Sequence, residues 1–235
     1  MRFIIFRLLF VLVLISSCSG GGGGDSSSSG SDSSSSGSDT SSSGSSGSDV
    51  LGFRVLNGAI DAAPVDLVSS IDNLVQNSIF AQPQGYSQVS SGLHQVSIST
   101  SNSPSGPIFS TVLSHESELK QSIILHGDRS NFGLRFFVLT ELLPEVPSGR
   151  SLVRIIHAAT GANQLSLNAA TVADFGRASD YMEIGPGQNV LTINRVVDSV
   201  LFDTVTLNAE SGRAYSIFVA GEFGFFVTSR VLEEN

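Results

Sequence analysis

Apolar residues along this chain recur with a period of two. Val96 and Ile98, Leu191 and Ile193, and Val205 and Leu207 alternate with polar neighbours, the mark of strands with one covered face. Ser122 to Leu125 and Tyr215 to Val219 read as strands buried more fully. Turn-forming residues divide the runs, as in Gly185-Pro186-Gly187 and Ser103-Pro104-Ser105-Gly106-Pro107, where Gly supplies unusual φ and Pro presets it. About seven short strands bounded by such turns predict an antiparallel β-sandwich of Ig-like character.

The pattern occurs twice. Residues 53–68 lie over 153–168 without a gap, with Arg54/Arg154, Ala59/Ala159, Ala62/Ala162 and Leu67/Leu167 identical. Phe80, Tyr86 and Gly92 return as Phe175, Tyr181 and Gly187 after one loop has shortened. Phe109, Thr111 and Val112 then match Phe202, Thr204 and Val205, and Gly127 matches Gly221. At the end of each copy, Phe132-Gly133 and Phe136-Phe137-Val138 match Phe223-Gly224 and Phe225-Phe226-Val227, so these phenylalanines are expected in the core. The fold expected is therefore all-β, with two tandem Ig-like antiparallel sandwiches at 50–150 and 151–235, joined near Pro144, Pro147 and Gly149.

The N-terminal part is of another kind. Arg2 and Arg7 precede the unbroken apolar run Leu8 to Ile15, which falls short of the roughly 20 residues a membrane span needs and fits a signal peptide over 1–17. The run ends at Ile15-Ser16-Ser17-Cys18, which resembles the lipobox of bacterial lipoproteins. That resemblance implies that Cys18 is acylated, for example with palmitate, and becomes the N-terminus, anchoring the chain to a membrane. Ser19 in the next position implies sorting to the outer membrane where a cell has one, with the modules in the periplasm or at the surface. From Cys18 to Asp49 the chain is almost wholly Ser, Gly and Asp; nothing there can build a core, so a disordered linker is expected. Asp25, Asp32, Asp39 and Asp49 stand too far apart for a calcium loop.

Charge and composition narrow the functions. The formal net charge of -9 argues against a nucleic-acid partner, which needs clustered cations. With one cysteine there is no internal disulfide, and with no Trp the cores rest on Phe, Val, Ile and Leu. His94, His115, His126 and His157 show no metal-ligand spacing, and no phosphate-cradling or dinucleotide glycine motif is present. The His115-Glu116-Ser117-Glu118 stretch reads as a solvated hairpin turn. No cofactor, metal site or catalytic residue is expected.

The segments opening at Arg54 and Arg154 resemble the bacterial family DUF4397, whose pattern runs Arg-Val-Val-His-Ala-Ser-Pro-Asp-Ala-Pro-x-Val-Asp-Val and is followed by Tyr-x-x-Val-x-x-Gly. The first copy keeps Ala62-Ala63-Pro64-Val65-Asp66 with Tyr86, Val89 and Gly92; the second keeps Arg154, His157 and Ala158 with Tyr181, Ile184 and Gly187. Asn57 replaces the His in the first copy, and the second lacks the Pro and Asp of the turn. The resemblance implies a fold and an exported setting, and no activity. Asn57 and His157 are expected to hold a turn backbone, Tyr86 and Tyr181 to anchor the cores, and Tyr215 to form a tyrosine corner. The function expected is a noncatalytic envelope module for interaction or support, with a protein partner; the alternative is a glycan or small-ligand binder.

Overall fold

The computed structural model describes residues 52–70, 73–101, 106–116, 119–128 and 133–234. The signal peptide, Cys18 and the linker fall outside them, as do Ser103 to Ser105, Ser117, Glu118 and Phe132. The described residues are all-β. The first copy contributes β1 (Gly52–Asn57), β2 (Val65–Ser69), β3 (Asn73–Ser78), β4 (Ser87–Gln88), β5 (Gly92–Thr100), β6 (Phe109–His115), β7 (Lys120–His126) and β8 (Arg135–Thr140). The second contributes β9 (Ser151–Thr160), β10 (Gln164–Leu167), β11 (Thr171–Asp174), β12 (Arg177–Ala178), β13 (Met182–Ile184), β14 (Gly187–Arg195), β15 (Leu201–Ala209), β16 (Ala214–Glu222) and β17 (Phe226–Glu233).

Each copy is a sandwich of two sheets, and the two topologies agree. In the first, β4-β1-β7-β8 faces β3-β2-β5-β6; in the second, β12-β9-β16-β17, with β13 also on β9, faces β11-β10-β14-β15. Pairing is antiparallel except between β1 and β7 and between β9 and β16. This order departs from the Ig scheme, in which the first strand neighbours the second. Here the first strand runs between the fourth and seventh, because the turn after it carries the chain to the opposite sheet.

Strand register fixes the repeat residue by residue. Leu67 stands opposite Ile98 as Leu167 stands opposite Ile193, and Phe53 lies beside Gln121 as Val153 lies beside Tyr215. Two of the sequence matches are displaced. Thr111 pairs with Val96 and Val205 with Leu191, so Thr111 corresponds to Val205; the match with Thr204 was one residue out, a slip that reverses which face a side chain covers. A bulge between Ile193 and Asn194 absorbs the odd residue. Likewise Leu125 pairs with Phe136 but Val219 with Ser229, so Phe225 is no counterpart of Phe136. It lies in a turn and is 81% exposed, against the expectation of a core position.

The inner faces form two separate cores, Phe53, Val55, Leu67, Ile98 and Ile123 in the first copy and Val153, Ile155, Leu167, Ile193 and Ile217 in the second. The alternate residues of the same strands form a third cluster. Leu56, Ile124, Ile156, Ala158, Phe218 and Leu232 close on one another, with Phe137 and Leu139 against them. Thus β1, β7, β9 and β16 are covered on both faces, which explains their continuous apolar runs. The sandwiches are joined sheet to sheet. Gly58 shows how tight the seam is: a Cβ there would lie 2.7 Å from Ala158 Cβ and 3.0 Å from the Leu125 carbonyl.

Candidate functional site at the seam

Within this seam lie four buried charges, two from each copy. Arg54 sits mid-strand in β1 and Arg154 at the same position in β9; Glu141 directly follows β8 and Glu234 directly follows β17. Period-two alternation turns all four away from their own cores and toward the other copy. Each is at most 6% exposed.

The pairing is exchanged between the copies. Arg54 Nη2 donates to both oxygens of Glu234, at 2.8 and 2.9 Å, and to Glu141 Oε1 at 3.2 Å. Arg154 Nη2 donates to Glu141 Oε2 and lies 3.9 Å from Glu234. Each Nε finds a serine of its own copy, Ser122 at 2.6 Å and Ser216 at 2.8 Å, and Ser122 Oγ donates on to Glu141 at 2.6 Å. Burial disfavours the Arg54 cation, but Glu234, Tyr86 and Glu141 outweigh it and hold its pKa above the ordinary value. With two cations, two anions and hydrogen-bonding serines, the cluster is neutral, as buried charge must be to escape a large desolvation cost.

Tyr86 and Tyr181 complete it. Each guanidinium lies 4.5 Å from the centroid of its own copy's ring, a desolvated cation–π contact. Neither tyrosine enters a sandwich core; both are part-exposed, correcting the expectation that they anchor one. Burial raises both hydroxyl pKa values, that of Tyr181 to about 12.

The other expected residues lie elsewhere. Asn57 accepts from the Ala59 N–H at 3.2 Å and donates to the Ser78 carbonyl at 3.1 Å. The buried His157 ring bonds through Nε2 to the Ala162 carbonyl at 3.0 Å; burial lowers its pKa to about 4, with His126 adding to the shift. Tyr215 packs in the second core and accepts from the Glu210 N–H at 2.9 Å. His115 is buried, not in a solvated turn, with its ring centroid 5.2 Å from that of Phe53 and 6.4 Å from that of His94. Among the described residues no group of three or more His, Cys, Asp or Glu is placed to hold a metal ion.

Sequence reasoning noticed that Arg54 and Arg154 match but assigned them no role. A cation in mid-strand, flanked by apolar residues and repeated at the same place, was the available signal; a glutamate closing each copy was its complement. His126 was also passed over. It lies on the seam face of β7, 4.8 Å from Phe175 of the other copy by ring centroids, and burial, helped by the charge of Arg135, lowers its pKa to about 4. A cavity of about 300 Å3 opens here, lined from both copies by His126, Arg135, Thr160, Asn163 and Phe175.

In comparison with known proteins, the family model of a domain of unknown function, DUF4397, matches residues 52–168. That span runs from β1 through β10, taking in the first sandwich and the opening strands of the second. No curated protein matches the chain.

Proposed function

Since residues 52–168 belong to the DUF4397 family, to which no activity is attached, we propose that this chain is a noncatalytic, lipid-anchored envelope protein whose two sandwiches act as one rigid module for interaction or support. The observation carrying this reading is the seam. Two faces that separate domains would leave to solvent are covered by Leu56, Ile124, Ile156 and Phe218, and among the four charges Arg54 pairs with Glu234 and Arg154 with Glu141 of the opposite copy. Misdocking would strand buried charges, which is a strong penalty on any other arrangement. Such a head, carried by Cys18 and the Ser/Gly tether, presents its outer sheets to a partner. Leu93 and Val190 are large apolar residues exposed there.

The test has three arms. Alkyne-palmitate fed to producing cells labels the chain and places it in the membrane fraction, and Cys18→Ser abolishes both; unchanged labelling rejects the anchor. A photo-cross-linker at Leu93 or Val190 in intact cells yields a discrete protein adduct. Turnover of a substrate by the purified chain refutes the noncatalytic reading. A second reading, binding of a small ligand, is favoured by the cavity beside His126.

A further inference from the structure

Contacts across the seam come in repeat-related pairs, as Arg54 with Glu234 answers Arg154 with Glu141. The cavity therefore has a counterpart location, and the two can be compared position by position. His126 pairs with Arg135 as Ala220 pairs with Thr228. By the ungapped correspondence of β1 with β9, Thr160 answers Ile60 and Asn163 answers Ala63. Gly127 and Gly221 share a positive φ, and a Cβ on either would strike one carbonyl, that of Gly133 in the first copy and of Phe226 in the second. Gly133 thus stands where Phe226 stands.

The consequence is an asymmetric seam. At one end Phe226, half-exposed and not in a sandwich core as expected, reaches Phe80 of the first copy, with 6.0 Å between centroids. At the other, among the described residues, Gly133 stands in place of Phe226, and four lining positions exchange an apolar or neutral residue for one that can bind, His126 for Ala220, Arg135 for Thr228, Thr160 for Ile60 and Asn163 for Ala63, while Gly161 replaces Asp61 and the phenylalanine is kept as Phe175 for Phe80. A structural seam has no need of these exchanges. His126 is 5% exposed, and among the described residues its Nδ1 has no hydrogen-bond partner, although buried polar atoms are almost always satisfied.

We propose that this open end of the seam binds a small ring-bearing carboxylate, the size of one sugar-acid or aromatic-acid unit. Among the described residues Arg135 is the cation in the lining and no carboxylate lines it, which suits a single negative charge held bidentately by a guanidinium. The lining sets the rest of the ligand: the ring of Phe175 offers an apolar face, while Thr160 and Asn163 offer hydrogen bonds at the edges beside the buried ring of His126. The volume of about 300 Å3 falls at the small end of ligand pockets. A phosphate, with its higher charge, calls for more cations than the single one, Arg135, among the described lining residues. This inference deepens the ligand-binding reading and leaves the rigid head intact whether or not it holds.

The test titrates the full chain carrying Cys18→Ser with galacturonate, benzoate and, as a neutral control, galactose, reading amide shifts by NMR. Saturable shifts at Gly127, Gly161 and Asn163 with galacturonate mark a sugar acid and with benzoate an aromatic acid; either supports the proposal. Arg135→Thr, which installs the residue of the counterpart position, weakens that binding about tenfold or more without lowering the melting temperature. Binding of galactose equal to galacturonate, insensitive to Arg135→Thr, overturns the carboxylate assignment while sparing the ligand-binding reading. No shift with any of the three at millimolar concentration, or a crystal structure with protein side chains filling the cavity, overturns the site itself.

Discussion

Glu234→Gln puts the seam to a quantitative trial. Glu234 is almost completely buried and receives two hydrogen bonds from Arg54, which belongs to the other copy. Glutamine preserves shape and one acceptor oxygen but removes the charge, so two buried guanidinium groups then share the single carboxylate of Glu141. Removing one partner of a buried pair costs about 3–5 kcal/mol; the remaining contact between Arg54 and Glu141, at 3.2 Å, places this variant near about 3 kcal/mol. In a urea titration the midpoint falls by about 1 M for an m-value of about 2–3 kcal/mol/M. Adding Arg54→Met removes the stranded cation and recovers part of the loss, giving a coupling of about 2 kcal/mol in the double-mutant cycle between residues 180 positions apart. A loss below about 0.5 kcal/mol for Glu234→Gln, or strictly additive effects, refutes the reasoning, because surface substitutions behave that way.

Two further outcomes follow from the same geometry. Burial holds His157 and His126 to about 4 in the folded chain, so below pH 6.5 the unfolded state takes up protons that the folded imidazoles refuse. Their contribution is complete above pH 6.5 and is lost as pH falls toward 4, about 2 kcal/mol at pH 5 for His157. His157→Asn with His126→Ala, the residues of the counterpart positions, flattens the stability difference between neutral pH and pH 5 in urea titrations; an unchanged slope contradicts the assignment. Gly58→Ala places a methyl 2.7 Å from Ala158 Cβ and lowers stability by about 1–3 kcal/mol through overpacking; a neutral result in thermal melts shows that the seam gives way.

The repeat was legible because strand signatures survive when loops shorten, and Arg54/Arg154 and Tyr86/Tyr181 kept their spacing. Register inside β6 and β15 was not, since alternating Thr and Val give nearly the same pattern when shifted by one and the bulge after Ile193 leaves no mark in the sequence. The seam was hidden for a different reason. Continuous apolar runs such as Ser122 to Leu125 announce burial on both faces, yet a period of two does not say what covers the second face. Glu141 and Glu234 read as ordinary polar residues at strand ends, and only the fold brings them to arginines of the opposite copy. Phe225 shows the converse: its apolar character suggested a core, whereas a turn leaves it exposed.

The account rests on two sandwiches behaving as one body, and a distance measurement addresses that directly. Spin labels at Gln95 and Thr206, exposed on the outer sheets of the first and second copies, on the chain carrying Cys18→Ser, report the separation by pulsed electron resonance. One narrow distribution, unchanged between dilute buffer and high salt, is the predicted result. A broad or multi-peaked distribution means that the sandwiches move independently and the seam does not hold them.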